Sequence, residues 1–237
     1  MSFVIVFIPG YQSVVPSRKS IFLQTWCHEH RHRFVTFNHD FVSPNASVGT
    51  WFHHLLSILD HETSTDKLIL IGSSLGAWLA LLVLLRKEVD TSLKSRIHGI
   101  LALGTSINGT EKWLNEIESN IHRSDRTYIY RRPSSYSSTG YYDIPVSMLL
   151  DSKQYLLPVE CDTIQIESIN CILIFMHGMH DVDASYQRVI DLVSRLQINR
   201  QGAIEIRLIH DGDHRLSRDE DLLKIQHCLN DIINMTR

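Results

Sequence analysis

The run Leu68-Ile69-Leu70-Ile71-Gly72-Ser73-Ser74-Leu75-Gly76 constrains this chain more than any other stretch of it. Four consecutive apolar residues read as a buried strand. The Gly-x-Ser-x-Gly that follows reads as a tight turn, and the apolar stretch 75–85 as a helix. Strand, turn and helix in that order make a nucleophile elbow, a bend that holds its central residue, here Ser74, in a strained backbone conformation. Gly72 and Gly76 flank it because a Cβ at either place would collide with the neighbouring strand or helix. The start of the helix turns free N–H groups and a partial positive charge towards the serine. A hydroxyl presented this way is placed to attack a carbonyl carbon. Gly-x-Ser-x-Gly alone recurs by chance, so the flanking strand and helix carry the argument.

The rest of the chain repeats a strand–helix rhythm around this element. Residues 3–8 are apolar throughout, as in a parallel strand covered on both faces. The Pro9-Gly10-Tyr11 turn after them falls where such folds place one of two N–H donors of an oxyanion hole. We expect those donors to be the amides of Tyr11 and Leu75. Residues 17–30 read as a helix with Ile21, Phe22, Thr25 and Trp26 on one face. A strand at 34–37 follows. The next helix carries Val48, Trp51, Phe52, Leu55, Leu56 and Leu59 in one stripe of 3.6-residue period. Strands are expected at 97–103 and 171–176. A helix then carries Tyr186, Val189, Ile190, Val193 and Leu196, and a half-exposed edge strand alternates Ile204, Ile206 and Leu208 with Glu205 and Arg207. The last helix spans about 219–234. Six such units predict a mostly parallel six-stranded sheet with helices on both faces.

Residues 106–168 interrupt the rhythm. They hold six of the eight tyrosines, Tyr128, Tyr130, Tyr136, Tyr141, Tyr142 and Tyr155. An excursion of this length reads as a lid or cap inserted in a single 1–237 domain. The tyrosines suit either the roof of an acyl pocket or a cover for the sheet edge.

Sites in parallel sheets gather beyond the carboxyl ends of the strands. Ser74, Asp181 and His214 all lie just past such ends, in the chain order Ser, Asp, His. A serine hydroxyl needs a base to remove its proton, which His214 supplies. The imidazole needs a carboxylate to fix its tautomer and compensate its charge, which Asp181 supplies. Asp183 is the alternative acid. Asp211 and Asp213 read as turn residues, and His177, His210, His53 and His54 as structural or solvated histidines. His28 and His32 have i, i+4 spacing, but the segment is polar all round and lacks a third ligand. It reads as a solvated helix end, with no metal or cofactor site expected.

The 237 residues are 43% hydrophobic with a net charge of −3, which gives no reason to expect nucleic acid as a partner. Cys27, Cys161, Cys171 and Cys228 form no CxxC pair and read as reduced thiols of an intracellular protein. No transmembrane run is present and no signal or transit peptide is visible ahead of the first strand.

Taken together, these residues resemble an α/β-hydrolase. More narrowly, the chain is similar to the mitochondrial palmitoyl-protein thioesterase family, also described as mycophenolic-acid acyl-glucuronide esterases. The matching runs are Phe7-Ile8-Pro9-Gly10-Tyr11, Gly72-Ser73-Ser74-Leu75-Gly76, Pro133-Ser134-Ser135-Tyr136, Leu156-Leu157, His177-Gly178-Met179 with Asp181, and Asp213-His214-Arg215. Ala77 stands where the family has a second glycine, and Val182-Asp183-Ala184 where it has Val-Pro. The resemblance implies a serine hydrolase of fatty acyl thioesters, as on S-acylated proteins, and of acyl-glucuronide esters. It implies Ser74, Asp181 and His214 as nucleophile, acid and base, and a mitochondrial location. The other readings are a general carboxylesterase of short acyl esters and a non-catalytic binding protein on the same fold.

Overall fold

The computed structural model describes residues 2–62, 66–166, 171–198 and 202–235. The chain opens with β1 (Val4–Ile8), α1 (Arg18–Glu29), β2 (Arg33–Thr36), α2 (Val48–Glu62), β3 (Leu68–Ser73), α3 (Leu75–Leu85), α4 (Thr91–Arg96) and β4 (Ile97–Leu103). Next come α5 (Gly109–Glu116), α6 (Asn120–Ser124), β5 (Ile129–Pro133), β6 (Tyr141–Pro145), α7 (Val146–Asp151), a 3-10 turn (Ser152–Tyr155) and β7 (Ile164–Ile166). The last part holds β8 (Ile172–Gly178), α8 (Tyr186–Arg195), β9 (Leu196–Ile198), β10 (Ala203–Ile209) and α9 (Asp219–Met235).

Among the described residues the main sheet has six strands in the order β10-β8-β4-β3-β1-β2, and every adjacent pair is parallel. Alternation within the strands sorts side chains onto two faces. Val4, Val6, Ile8, Leu68, Leu70, Ile100, Leu173 and Phe175 pack beneath α2, α3 and α8. Phe3, Ile5, Phe7, Ile69, Ile71, Leu101, Ile174 and Met176 pack beneath α1 and α9. Both faces are therefore covered, which is why β1 is apolar throughout, β3 and β8 are apolar as far as Ile71 and Met176, and all three are buried along their whole length. The edge strands β2 and β10 are only partly buried.

Several local expectations shift. In α1 the buried face is Ser20, Leu23, Trp26 and Cys27, and Ile21 is exposed. Trp26 is buried as expected, whereas Phe22 is half-buried and Thr25 is exposed. In α8 Val189 and Leu192 are buried, Ile190 points outward, and Leu196 has left the helix for β9. The second strand lies one residue earlier than expected, at Arg33–Thr36. The segment between β4 and β8 is built from α5–α7, the antiparallel β5–β6 hairpin, the 3-10 turn and β7, which pairs with β9 in a separate two-stranded sheet. Residues 167 and 168, the end of the expected excursion, lie outside the described residues.

Two backbone approaches hold the centre of the sheet. A Cβ on Gly76 would lie 2.0 Å from the Ile8 carbonyl oxygen, and one on Gly72 2.4 Å from Ala77 N. Neither neighbour is a flexible side chain that can swing away. Gly76→Ala is therefore expected to destabilise the fold by about 3 kcal/mol. Gly140→Ala meets open space but retains a positive φ of 81°, and should cost about 1–2 kcal/mol. Denaturant unfolding of the two variants checks the order.

Candidate active site

Ser74 sits between the last residue of β3 and the first of α3, with φ 55° and ψ −113°. A non-glycine residue rarely adopts such a conformation, and the surroundings over-determine it here. Its N–H donates to Leu103 O at 2.8 Å, and its carbonyl accepts from Ala77 N at 3.1 Å and Ser106 N at 3.3 Å. The side chain is thereby lifted off the end of the sheet. The turns after β8 and β10 are fastened to each other in the same region. His180 N donates to Gly212 O and Met179 N to Ile209 O, both at 2.9 Å. Gly178 and Gly212 pack so closely that a Cβ on Gly178 would lie 2.3 Å from Gly212 O. This contact carries Asp181 and His214 towards each other and towards the elbow.

The three side chains form one hydrogen-bonded line. His214 Nε2 lies 2.9 Å from Ser74 Oγ, and His214 Nδ1 lies 2.7 Å from Asp181 Oδ2. The Asp181 side chain is fully buried. Its Oδ1 accepts the amides of Asp183 at 2.9 Å and Ala184 at 2.8 Å. Burial alone would raise its pKa. Hydrogen bonds from His177, His214 and the Ala184 amide outweigh that and hold the carboxyl well below the usual carboxylate range. Asp181 is therefore favoured as the charged carboxylate. An imidazole between a charged carboxylate and a serine hydroxyl can accept the hydroxyl's proton.

His177, expected to be a satisfied structural histidine, touches this acid. Its Nε2 lies 3.0 Å from Asp181 Oδ2 and 2.9 Å from Ala184 O. Both are acceptors, so Nε2 carries the hydrogen and the imidazole clamps the 181–184 turn. Nothing local in the sequence signals this, because the contact depends on how the turn after β8 folds back. The carboxylate of Asp183, the alternative acid, lies 3.5 Å from Arg132, which Glu116 also holds at 2.8 Å. Asp211 pairs with Arg218, and Asp213 Oδ1 accepts Leu216 N in a turn. His210 is exposed beside His180. His53 bonds the Tyr155 hydroxyl, and His54 packs on Phe37. Because α1 ends at Glu29, His28 and His32 do not share a helix face, and His32 Nδ1 accepts the Phe3 amide. Among the described residues no cluster of His, Cys, Asp or Glu is placed to hold a metal ion.

Leu75 is the first residue of α3, so its amide has no acceptor within the helix. Gly10 packs on the elbow, where a Cβ would sit 3.3 Å from Ser74 Cβ, and this brings Tyr11 beside the serine. The Tyr11 ring is enclosed by Phe41, Trp51, Trp113 and Tyr142, and burial pushes its phenol up to about 12. Ser74 and His214 open on a cavity of about 500 Å³. Tyr136 lies over His214 with ring centroids 5.9 Å apart, and the Arg215 guanidinium lies 4.6 Å from the Tyr136 ring. Of the six tyrosines between β4 and β8, Tyr136 and Tyr142 line this cavity. Tyr128 instead stacks on His122, Tyr130 bonds Glu116, Tyr141 lies beneath Arg131, and Tyr155 is buried against α2. All four cysteines are free, and only Cys161 is exposed. No helix among the described residues is long and apolar enough to cross a membrane.

No protein-family model matches the sequence. The chain is 24% identical over 240 residues to palmitoyl-protein thioesterase ABHD10, mitochondrial, of Rattus norvegicus, covering 97% of this chain and 75% of that protein. The Homo sapiens protein of the same name is 22% identical over the same span. Among solved structures, alpha/beta hydrolase domain-containing protein 10 from mouse superposes with a TM-score of 0.82 at 25% identity, covering 99% of this chain and 90% of that one. Est1E from Butyrivibrio proteoclasticus superposes with a TM-score of 0.70 at 12% identity, covering 99% of this chain and 88% of that one. The six-stranded parallel sheet, its helices and these likenesses agree: the chain has the α/β-hydrolase fold and resembles the mitochondrial palmitoyl-protein thioesterase ABHD10.

Proposed function

We propose that this chain is a serine hydrolase that cleaves carboxylic esters and thioesters through an acyl-serine intermediate. The observation that carries the reading is the unbroken line Asp181–His214–Ser74 at the mouth of a cavity. In this reading His214 Nε2 removes the Ser74 proton as Oγ attacks the acyl carbon. The oxyanion forms against the amides of Leu75 and Tyr11. Asp181 compensates the imidazolium through Nδ1, and His177 with the amides of Asp183 and Ala184 holds Asp181 in place. The tetrahedral intermediate collapses, its bond to the leaving oxygen or sulfur breaks, and His214 returns the proton to that atom. Water then repeats the sequence on the acyl-serine and frees the acid.

The relatives' names point to S-acylated cysteine as the acyl donor, and the resemblance of sequence adds acyl-glucuronide esters. Residues 106–168 would act as a lid, with Tyr136 and Tyr142 over the cavity. The relatives' mitochondrial location supports the same location for this chain.

Ser74→Ala should lower kcat/KM for an activated ester at least about a thousandfold, and Asp181→Asn about as much, because the imidazole tautomer is no longer fixed. Asp183→Asn should cost far less, since its carboxylate meets Arg132 and not His214. Steady-state assays on the three folded variants check this.

The depressed acidity of Asp181 has a second consequence. A carboxyl whose folded pKa lies below its unfolded value stabilises the fold above the unfolded value and loses that contribution as pH falls. Asp181→Asn should therefore be about 2 kcal/mol less stable than the parent near neutral pH. The gap should narrow as pH drops below about 3.9, the ordinary aspartate value. Urea unfolding across that range reads it out.

A further inference from the structure

A second, small cavity of about 20 Å³ is lined by Ser74, Tyr11, Leu75, Ser106 and Thr110, and His214 is not among its walls. The acyl-serine reading gives the amides of Tyr11 and Leu75 to the oxyanion, so in that reading the cavity adjoins the oxyanion and not the leaving group. Its size suits one water, which needs ~10–15 Å³ and about two to four polar partners.

The aromatic part of the wall does not supply those partners. Trp51 Nε1 donates to Asp40 O at 2.7 Å and Trp78 Nε1 to Tyr155 O at 3.1 Å, so both indole N–H groups are engaged by backbone carbonyls. Thr110 differs. It is 3% exposed, and its Oγ1 has no hydrogen-bond partner among the described residues. A helical threonine often returns its hydroxyl to the carbonyl three or four residues back, and Thr110 does not. A hydroxyl left buried and unpaired is costly, so its place in the wall of a one-water cavity beside the nucleophile needs a reason. That place is rigid. Asn108 Nδ2 donates to Leu157 O at 3.1 Å and Asn108 Oδ1 accepts Leu157 N at 2.7 Å, which pins the start of α5. Ser106 N donates to Ser74 O at 3.3 Å, which ties the same turn to the elbow. Gly109 gives the Ser106 hydroxyl its room, since a Cβ there would lie 2.3 Å from Ser106 Oγ.

We propose that this cavity binds one water, and that Thr110 is the positioning residue that makes this water a third oxyanion donor beside the two amides. The proposal rests on the acyl-serine reading. Thr110 Oγ1 donates to the water oxygen, and the water donates one hydrogen to the oxyanion and the other to Ser106 Oγ. It forms and breaks no covalent bond. It is not the water that His214 activates for deacylation, because His214 does not line this cavity. A hydrogen bond relayed in this way strengthens as negative charge grows on the substrate oxygen, so it favours the transition state over the bound ground state.

The test is kcat and KM for p-nitrophenyl acetate in the parent, Thr110→Val and Thr110→Ser, with urea unfolding of each. Thr110→Val keeps the shape and removes the hydroxyl. It should lower kcat and kcat/KM together by at least about tenfold with KM unchanged. Because Thr110 Oγ1 bonds nothing within the described fold, the same variant should unfold at a urea concentration no lower than the parent's. Thr110→Ser, which restores a hydroxyl, should recover most of the lost rate. A crystal structure of the parent with a phosphonate on Ser74 should show a water within hydrogen-bond distance of Thr110 Oγ1 and the phosphonyl oxygen, and it decides the matter should Thr110→Val fail to fold. A folded Thr110→Val with the parent's kcat, or an adduct with no such water, would overturn the proposal and leave the acyl-serine reading standing. Inactivity of the parent, with no labelling of Ser74 by a fluorophosphonate, would overturn both.

Discussion

No side chain fits at position 76, because the Ile8 carbonyl oxygen occupies the place its Cβ would take. That approach brings the start of α3 against the end of β1, and the rest of the site follows from it. It sets the first turn of the helix beside the Pro9-Gly10-Tyr11 turn, so two chain segments remote in sequence meet at one hydroxyl. Gly72 makes the matching concession on the other side of the bend, where Ala77 passes over it. With both sides closed, Ser74 has only the strained conformation that lifts its Oγ clear of the sheet.

The acid side is held by a different force. Asp181 is a fully buried carboxylate, and such a charge persists only when hydrogen bonds replace its water. Two backbone amides and two imidazoles do so. One imidazole, His214, continues to Ser74. The other, His177, ends on Ala184 O and so ties the charge to the turn that carries it. The close packing of Gly178 on Gly212 brings the two turns within reach of one another.

Ser74 and Asp181 are legible in the sequence because each follows an apolar run that reads as a covered strand, and His214 because it follows the alternating edge strand Ala203–Ile209. The parallel sheet and the two-sided burial are legible for the same reason: Phe3 to Ile8 carry apolar residues for both faces. What is less legible depends on contacts between distant segments. The buried face of α1 is Leu23, Trp26 and Cys27 with Ser20, turned from the one its apolar spacing suggests, and α8 surrenders Leu196 to a small sheet with β7. His177 looks like any strand-end histidine until the following turn folds back on it. The tyrosines between β4 and β8 divide between cavity wall and outer packing, and no local pattern separates Tyr136 from Tyr128. The tryptophans beside Ser74 come from α2, α3 and α5, where the α2 stripe marks Trp51 and the apolar stretch 75–85 marks Trp78 as core without showing that they share a pocket.

The central claim is that the hydroxyl of residue 74 takes up the acyl group. Intact-mass and peptide-mapping mass spectrometry after brief exposure to p-nitrophenyl acetate and an acid quench tests it directly. The account predicts one acetyl group, mapped to the peptide containing Ser74 and absent when His214 is replaced by alanine. Steady turnover with the label on another residue, or with no covalent acyl group at any time, would contradict it.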